Sequence, residues 1–136
     1  MKEPLLYLIA LTKLKGAGLL TSKMIVDQLG GAQNFFDKSL SEFDLPEDLN
    51  NTRLQSLLNK RQRALDQAEK ELEIIDKENI TVLCQEDEGY PIRLKQCPDA
   101  PLLLYTKGKV RFNKAKVISI VGTRKATSYG RRVCQQ

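Results

Sequence analysis

Histidine is absent from the 136 residues, and cysteine occurs three times, at Cys84, Cys97 and Cys134, with no Cys-x-x-Cys pair among them. Those shortages leave neither a disulfide framework nor a zinc site with its ligands, and they predict three reduced thiols with a packing role. Long apolar runs are missing too. The longest, "PLLLY" and "VISIV", fall far short of the ~20 residues that span a bilayer, and "MKEPLLYLIA" places an acid and a proline where a signal peptide carries only bases. The expectation is a cytoplasmic protein with no membrane partner. A hydrophobic fraction of 41% with 29% charged residues excludes disordered and collagen-like classes, and the length accommodates one ordinary domain or two small ones.

The most informative shortage is of acids near the C-terminus. Residues 1–60 hold seven bases and seven acids, whereas residues 107–136 hold nine bases (Lys107, Lys109, Arg111, Lys114, Lys116, Arg124, Lys125, Arg131 and Arg132) and no acid. Solvated surfaces usually mix signs. An acid-free run inside a chain of net charge +5 is the electrostatic footprint expected of a polyanion binder, with nucleic acid ahead of a small anionic molecule or a basic surface without a ligand.

The hydrophobic pattern divides the chain in two. From Leu5 to about Arg63 apolar residues recur at helical spacing, broken at "GAG", "LGG" and "DLPED", which predicts a small bundle of short helices. "LNKRQRALDQAEKELEIIDKENI" then reads as one longer amphipathic helix ending near Asn79, with Leu58, Leu65, Ala68, Leu72 and Ile75 on its apolar face. After it come "ITVLC", "PLLLYTKG" and "KVISIVG", each too continuous for a half-exposed strand, so a sheet covered on both faces is expected. The boundaries are a helical domain over 1–65 and a connecting helix plus sheet domain over 66–136.

Two stretches carry chemistry. In "LTKLKGAGLLTSKMIVDQLG" two helices meet at Gly16-Ala17-Gly18, the pattern of a helix-hairpin-helix. Glycines at both ends of the turn allow positive φ and let backbone N–H groups face a phosphate, and Gly18→Val is expected to cost stability. A second DNA contact at Lys15, Gly16 and Gly18 is one reading; a structural or protein-contact turn is the other. In "VISIVGTRKATSYG" a buried strand over 116–122 ends at Gly122, hydroxyls and cations follow, and a helix starts between Ala126 and Tyr129. A strand, a glycine and a helix start with a fork-shaped cation suit a phosphate, with Arg124 as the bidentate donor and Tyr129 stacking on a base or packing under the loop. A nucleotide-binding enzyme would use the same elements. Neither the G-x-G-x-x-G fingerprint nor the G-K-[ST] ending of a P-loop is present.

"GYPIRLKQCPDAPLLLYTKG" followed by "ISIVGTRKATSYG" resembles the paired signature of the DNA-processing protein A family (DprA, also called Smf). The resemblance implies a helical N-terminal domain of the SAM or helix-hairpin-helix type. It places after it the first part of a Rossmann-like domain, an α+β to α/β chain truncated relative to the family. It further implies a cytoplasmic recombination mediator of natural transformation that binds single-stranded DNA, loads a RecA-type recombinase and forms a homodimer, without enzymatic turnover, cofactor or metal. Carried over by position, Gly122, Thr123, Arg124, Lys125, Thr127, Tyr129 and Gly130 would line the single-strand site, with Arg124 as the main phosphate contact. Two other classes stay open: a Rossmann-like nucleotide-cleaving enzyme, which needs a carboxylate that residues 107–136 lack, and a helical interaction module with an incidental basic tail.

Overall fold

The structure, a computed structural model, describes residues 3–39, 42, 51–118, 121–122 and 124–135. Five helices lead the chain: α1 (Glu3–Lys13), α2 (Leu19–Gln28), α3 (Ala32–Asp37), α4 (Asn51–Leu58) and α5 (Arg61–Lys77). The "DLPED" break expected between α3 and α4 lies outside the described residues. Helix α1 is apolar over most of its length, and its Ile9, Ala10 and Leu11 are buried with Leu14 at its end. Around them pack Ile25 of α2, Phe35 and Phe36 of α3, Leu54 and Leu57 of α4, and Ala64, Ala68 and Ile75 of α5. The two phenylalanines meet edge to face, with ring centroids 5.2 Å apart. The Arg61 guanidinium lies 4.9 Å from the Phe35 centroid, a cation–π contact that covers the ring from the α5 side. Burial holds the affinity of that guanidinium for its proton below the usual value, and the charge of Asp37 works in the other direction.

The glycine turn forms as expected, with an asymmetry. Gly16 has φ +101°, where an L side chain is strained, and the Leu57 side chain stands 3.6 Å from where its Cβ would be. Gly18 does not share that need. It is the N-cap of α2 with φ −78°, and an added Cβ would meet nothing within 4 Å, so the expected penalty for Gly18→Val from strained φ or a clash has no basis. The long helix also differs from expectation. Backbone bonds from Asn59 to Gln55 and from Lys60 to Leu57 close a turn that separates α4 from α5. The buried face of α5 nevertheless follows the helical period, with Leu65 and Leu72 flanking the buried Ala64, Ala68 and Ile75. Asn79, at φ 51°, turns the chain out of the helix and into a strand.

Strands β1 (Ile80–Cys84) and β2 (Leu103–Lys107) pair antiparallel, Ile80 opposite Lys107 and Cys84 opposite Leu103. Alternation puts Ile80, Val82 and Cys84 on one face, and these pack with Leu103 against the helical core. Thr81, Leu83 and Thr106 point the other way. Of the ten strand residues only Leu103 is buried, which corrects the expectation of a sheet covered on both faces: among the described residues, the helical core packs against one face only. Lys13, Glu71 and Tyr105 join α1, α5 and β2, with Glu71 ion-paired to Lys13 and hydrogen-bonded to Tyr105.

The third expected strand is not observed. Lys116, Val117, Ile118, Val121 and Gly122 have no strand structure and are exposed, Ile118 at 88% and Val121 at 91%; Ser119 and Ile120 lie outside the described residues. A strand exists through its ladder, and β1 and β2 pair with each other, so the run has no backbone partner among the described residues. The sheet seen is therefore an antiparallel pair, without the parallel strands of a Rossmann-like layout. The thiols are free, but the packing role holds only for Cys84, since Cys97 and Cys134 are exposed.

Candidate nucleic-acid interface

The connection from β1 to β2 is built around Tyr90, which is buried and whose hydroxyl donates to the Pro101 carbonyl at 2.6 Å. Pro91, with its fixed φ, is the N-cap of the short helix α6 (Ile92–Lys95). Asn113 ties the run after β2 to this turn. Its amide nitrogen donates to the carbonyls of Glu88 (3.1 Å) and Tyr90 (3.0 Å), and its oxygen accepts from the Ile92 N–H at 2.9 Å. Arg93 adds a bond to the Ala115 carbonyl at 3.2 Å. An exposed, like-charged stretch is thus held by side-chain bonds to backbone groups rather than by burial.

Residues 109–115 become a ridge between two clefts. On one side, the outward sheet face supplies Thr81 and Thr106 as the floor, and Lys109, Arg111 and Lys114 line a cleft of about 520 Å3. On the other, Phe112, Ile92 and Val117 with Arg93 and Lys114 line a more apolar cleft of about 670 Å3. Phe112 and Lys114 belong to both. Among the described residues, no acid lines either cleft. The sequence reading counts Lys109, Arg111 and Lys114 in the basic run without singling them out, and it misses Arg93 and Asn113, the latter with no local signal beyond a polar residue among bases.

The predicted site residues lie further along. Gly122, Arg124, Lys125, Thr127 and Tyr129 are exposed, Gly130 is half-buried, and Thr123 lies outside the described residues. The helix start falls inside the predicted window: α7 (Ser128–Cys134) is capped by Thr127, whose hydroxyl oxygen accepts from the Gly130 N–H at 3.1 Å. The chain therefore brings Thr127 and Gly130 together in the cap and leaves Arg124 and Tyr129 projecting, Tyr129 at 68% exposure. Gly122 meets nothing within 4 Å where a Cβ would be, so the described structure places no steric demand for glycine there. At the N-terminal hairpin, the carbonyls of Lys15 and Gly16 are engaged by Lys60 Nζ (3.0 Å) and Arg53 Nη2 (3.4 Å), so the turn is bound to α4 and α5 through the face that carries its oxygens.

Residues 81–136 match the family model described as DNA recombination-mediator protein A. No curated protein and no solved structure matches the chain. The matched segment starts within β1 and contains the turn around Tyr90, the 109–115 ridge and α7, so the resemblance read from "GYP" and "VGTRKATSYG" is borne out over the part of the chain where those motifs stand. Among the described residues, no helix is long and apolar enough to cross a membrane.

Proposed function

We propose, for a chain whose residues 81–136 match the family model described as DNA recombination-mediator protein A, that its C-terminal basic segment binds single-stranded DNA as part of a recombination mediator without catalytic turnover. The observation that carries this is the run of nine cations and no acid over 107–136, with Lys109, Arg111 and Lys114 converging on one cleft. Backbone phosphates supply the matching charges, and Phe112 and Tyr129 offer aromatic faces on which splayed bases stack. Arg124 stands at the bend before α7 with its planar fork exposed, suited to a pair of phosphate oxygens. The resemblance extends the reading to natural transformation in the cytoplasm, to loading of a RecA-type recombinase and to a homodimer. A nucleotide-cleaving reaction at the bend would need a carboxylate there, which the segment does not contain.

The test is titration of a labelled oligothymidylate with the chain over a range of salt. A charge-assisted contact contributes about 1.5 to 3 kcal/mol, so Arg124→Ala is expected to weaken binding by about one to two orders of magnitude. Arg124→Lys recovers part of the loss, because an ammonium keeps the charge but not the two parallel bonds. The log-log salt slope becomes shallower by about 0.7, one phosphate contact on a single strand. A folded Arg124→Ala variant that binds as tightly as the parent would remove the bend from the interface.

A further inference from the structure

On one side of the 109–115 ridge, apolar side chains face solvent around the cleft of about 670 Å3. Ile92 of α6 and Val117 are 58% and 56% exposed, Leu94 and Phe112 complete the walls, and the run continues into Ile118 and Val121, which are more exposed still. Protein surfaces rarely cluster apolar side chains in water unless a partner covers them. The cleft is held open by polar bonds. The Asn113 side chain accepts from the Ile92 N–H and Arg93 Nη2 donates to the Ala115 carbonyl, so α6 and the run after β2 are fixed against each other without closing the space between them. The second of these bonds also places the Arg93 guanidinium, with donors to spare, at a residue that lines the cleft. Lys114 supplies another cation. Neither is ion-paired among the described residues, and the described lining contains no carboxylate.

We infer that this cleft docks an extended peptide segment of a partner protein, one in which carboxylates flank apolar anchors. The apolar walls match apolar side chains, and the guanidinium and ammonium beside them match carboxylates on either side. A volume of about 670 Å3 lies within the range of about 300 to 1,000 Å3 that binding clefts occupy, room for more than one anchor. Extended geometry follows from Lys116, Val117 and Ile118. Their backbone has no ladder partner among the described residues, so a segment laid along them adds hydrogen bonds as a strand. Charge argues against a second copy of the chain as the occupant, because nine bases and no acid over 107–136 would bring like charges face to face. An anionic membrane calls for apolar groups that project, whereas these line a concavity. A nucleic-acid strand stacks on aromatic faces, and Phe112 is the only aromatic residue in the described lining. Ile92 and Val117 line this cleft and not the one that carries Lys109 and Arg111, so peptide docking goes beyond the DNA reading and stands or fails separately from it.

The experiment titrates the full chain and its Ile92→Ser/Val117→Ser variant, both confirmed folded by a thermal transition, with labelled synthetic peptides and with oligothymidylate. One peptide has aspartates on both sides of an isoleucine–phenylalanine–isoleucine centre, a second replaces that centre by serines, and a third replaces the aspartates by lysines. Ile92 and Val117 are exposed and outside the core, which separates loss of binding from loss of fold, and the peptide comparison on the parent chain does not depend on the variant. The parent is expected to bind the first peptide about tenfold or more tightly than either of the others. Ile92→Ser/Val117→Ser is expected to lose about tenfold for the first peptide and to keep the parent's oligothymidylate affinity. Equal binding of the serine-centred peptide would reduce the site to charge attraction, and equal binding of the lysine peptide would reduce it to apolar adhesion; either overturns the inference. So would parent-like peptide affinity in the variant, or a loss of binding to oligothymidylate or to phosphatidylserine vesicles with the peptide titration unchanged. A parent dimer in sedimentation that the double substitution dissolves would assign the cleft to a second copy and overturn it as well.

Discussion

Helices α1 to α5 bury side chains against one another with bases and acids nearly balanced over the first sixty residues, whereas none of the described residues from 107 to 135 is buried and all of that segment's charge is of one sign. The two regions hold their shape differently. The helical body depends on apolar contact, which is cooperative and tolerates few gaps. The C-terminal run is positioned by point attachments, the three bonds of Asn113, the bond from Arg93 to Ala115 and the ion pair of Lys107 with Glu78, and its cations are exposed. Buried contact belongs mainly to the first region and charge of one sign to the second, so substitutions should separate them.

The largest expected effect tests the core. Phe35 is fully buried, pairs with Phe36 and lies under the Arg61 guanidinium, so Phe35→Ala combines lost transfer energy, a cavity and a lost cation–π contact. A loss of about 3 to 5 kcal/mol in a denaturant titration is expected. A loss under about 1 kcal/mol would mean that the core collapses around the gap and that the contrast between the regions is overstated.

A middle-sized effect concerns the seam between helices and sheet under alkaline conditions. Burial raises the proton affinity of Tyr90, Tyr105 and Cys84. The Glu71 hydrogen bond and charge raise Tyr105 further, and the charges of Asp87 and Glu86 do the same for Cys84. The folded chain therefore keeps these protons where the unfolded chain releases them, from about pH 9.0 for the thiol and 10.0 for the phenols. Since the unfolded state then binds fewer protons, stability is fully present below those values and falls as pH rises past them. Melting temperature should drop between pH 8 and 11, and drop less in Tyr105→Phe. An identical pH profile for that variant would show that Tyr105 does not contribute to the seam.

The smallest effect comes from the segment that reads as most apolar. Ile118 is 88% exposed and pairs with no strand among the described residues, so Ile118→Ser should change stability by less than about 0.5 kcal/mol. A loss of 2 kcal/mol or more would mean that the run is packed in solution, and the comparison between a buried body and an open tail would need redrawing.

Local features were legible in the sequence because their causes are local. The apolar face of α5, the positive φ at Gly16 and the start of α7 behind Thr127 each follow from residues within a turn or two of one another. The acid-free run was legible for the same reason, since it is a property of adjacent residues. The VISIV expectation failed because apolar continuity measures a tendency to be buried, and only a neighbouring strand can satisfy it.

What the sequence by itself determined is helix periodicity, the glycine turn, the start of α7 and the distribution of charge. Only the tertiary structure decided that β1 meets β2 antiparallel, that Asn113 reaches back to the carbonyls of Glu88 and Tyr90, and that Lys15 and Arg63 line one pocket. These are contacts between residues nineteen or more positions apart, set by which helix faces are buried together, and no short-range pattern of residue types encodes which distant partner a side chain will meet.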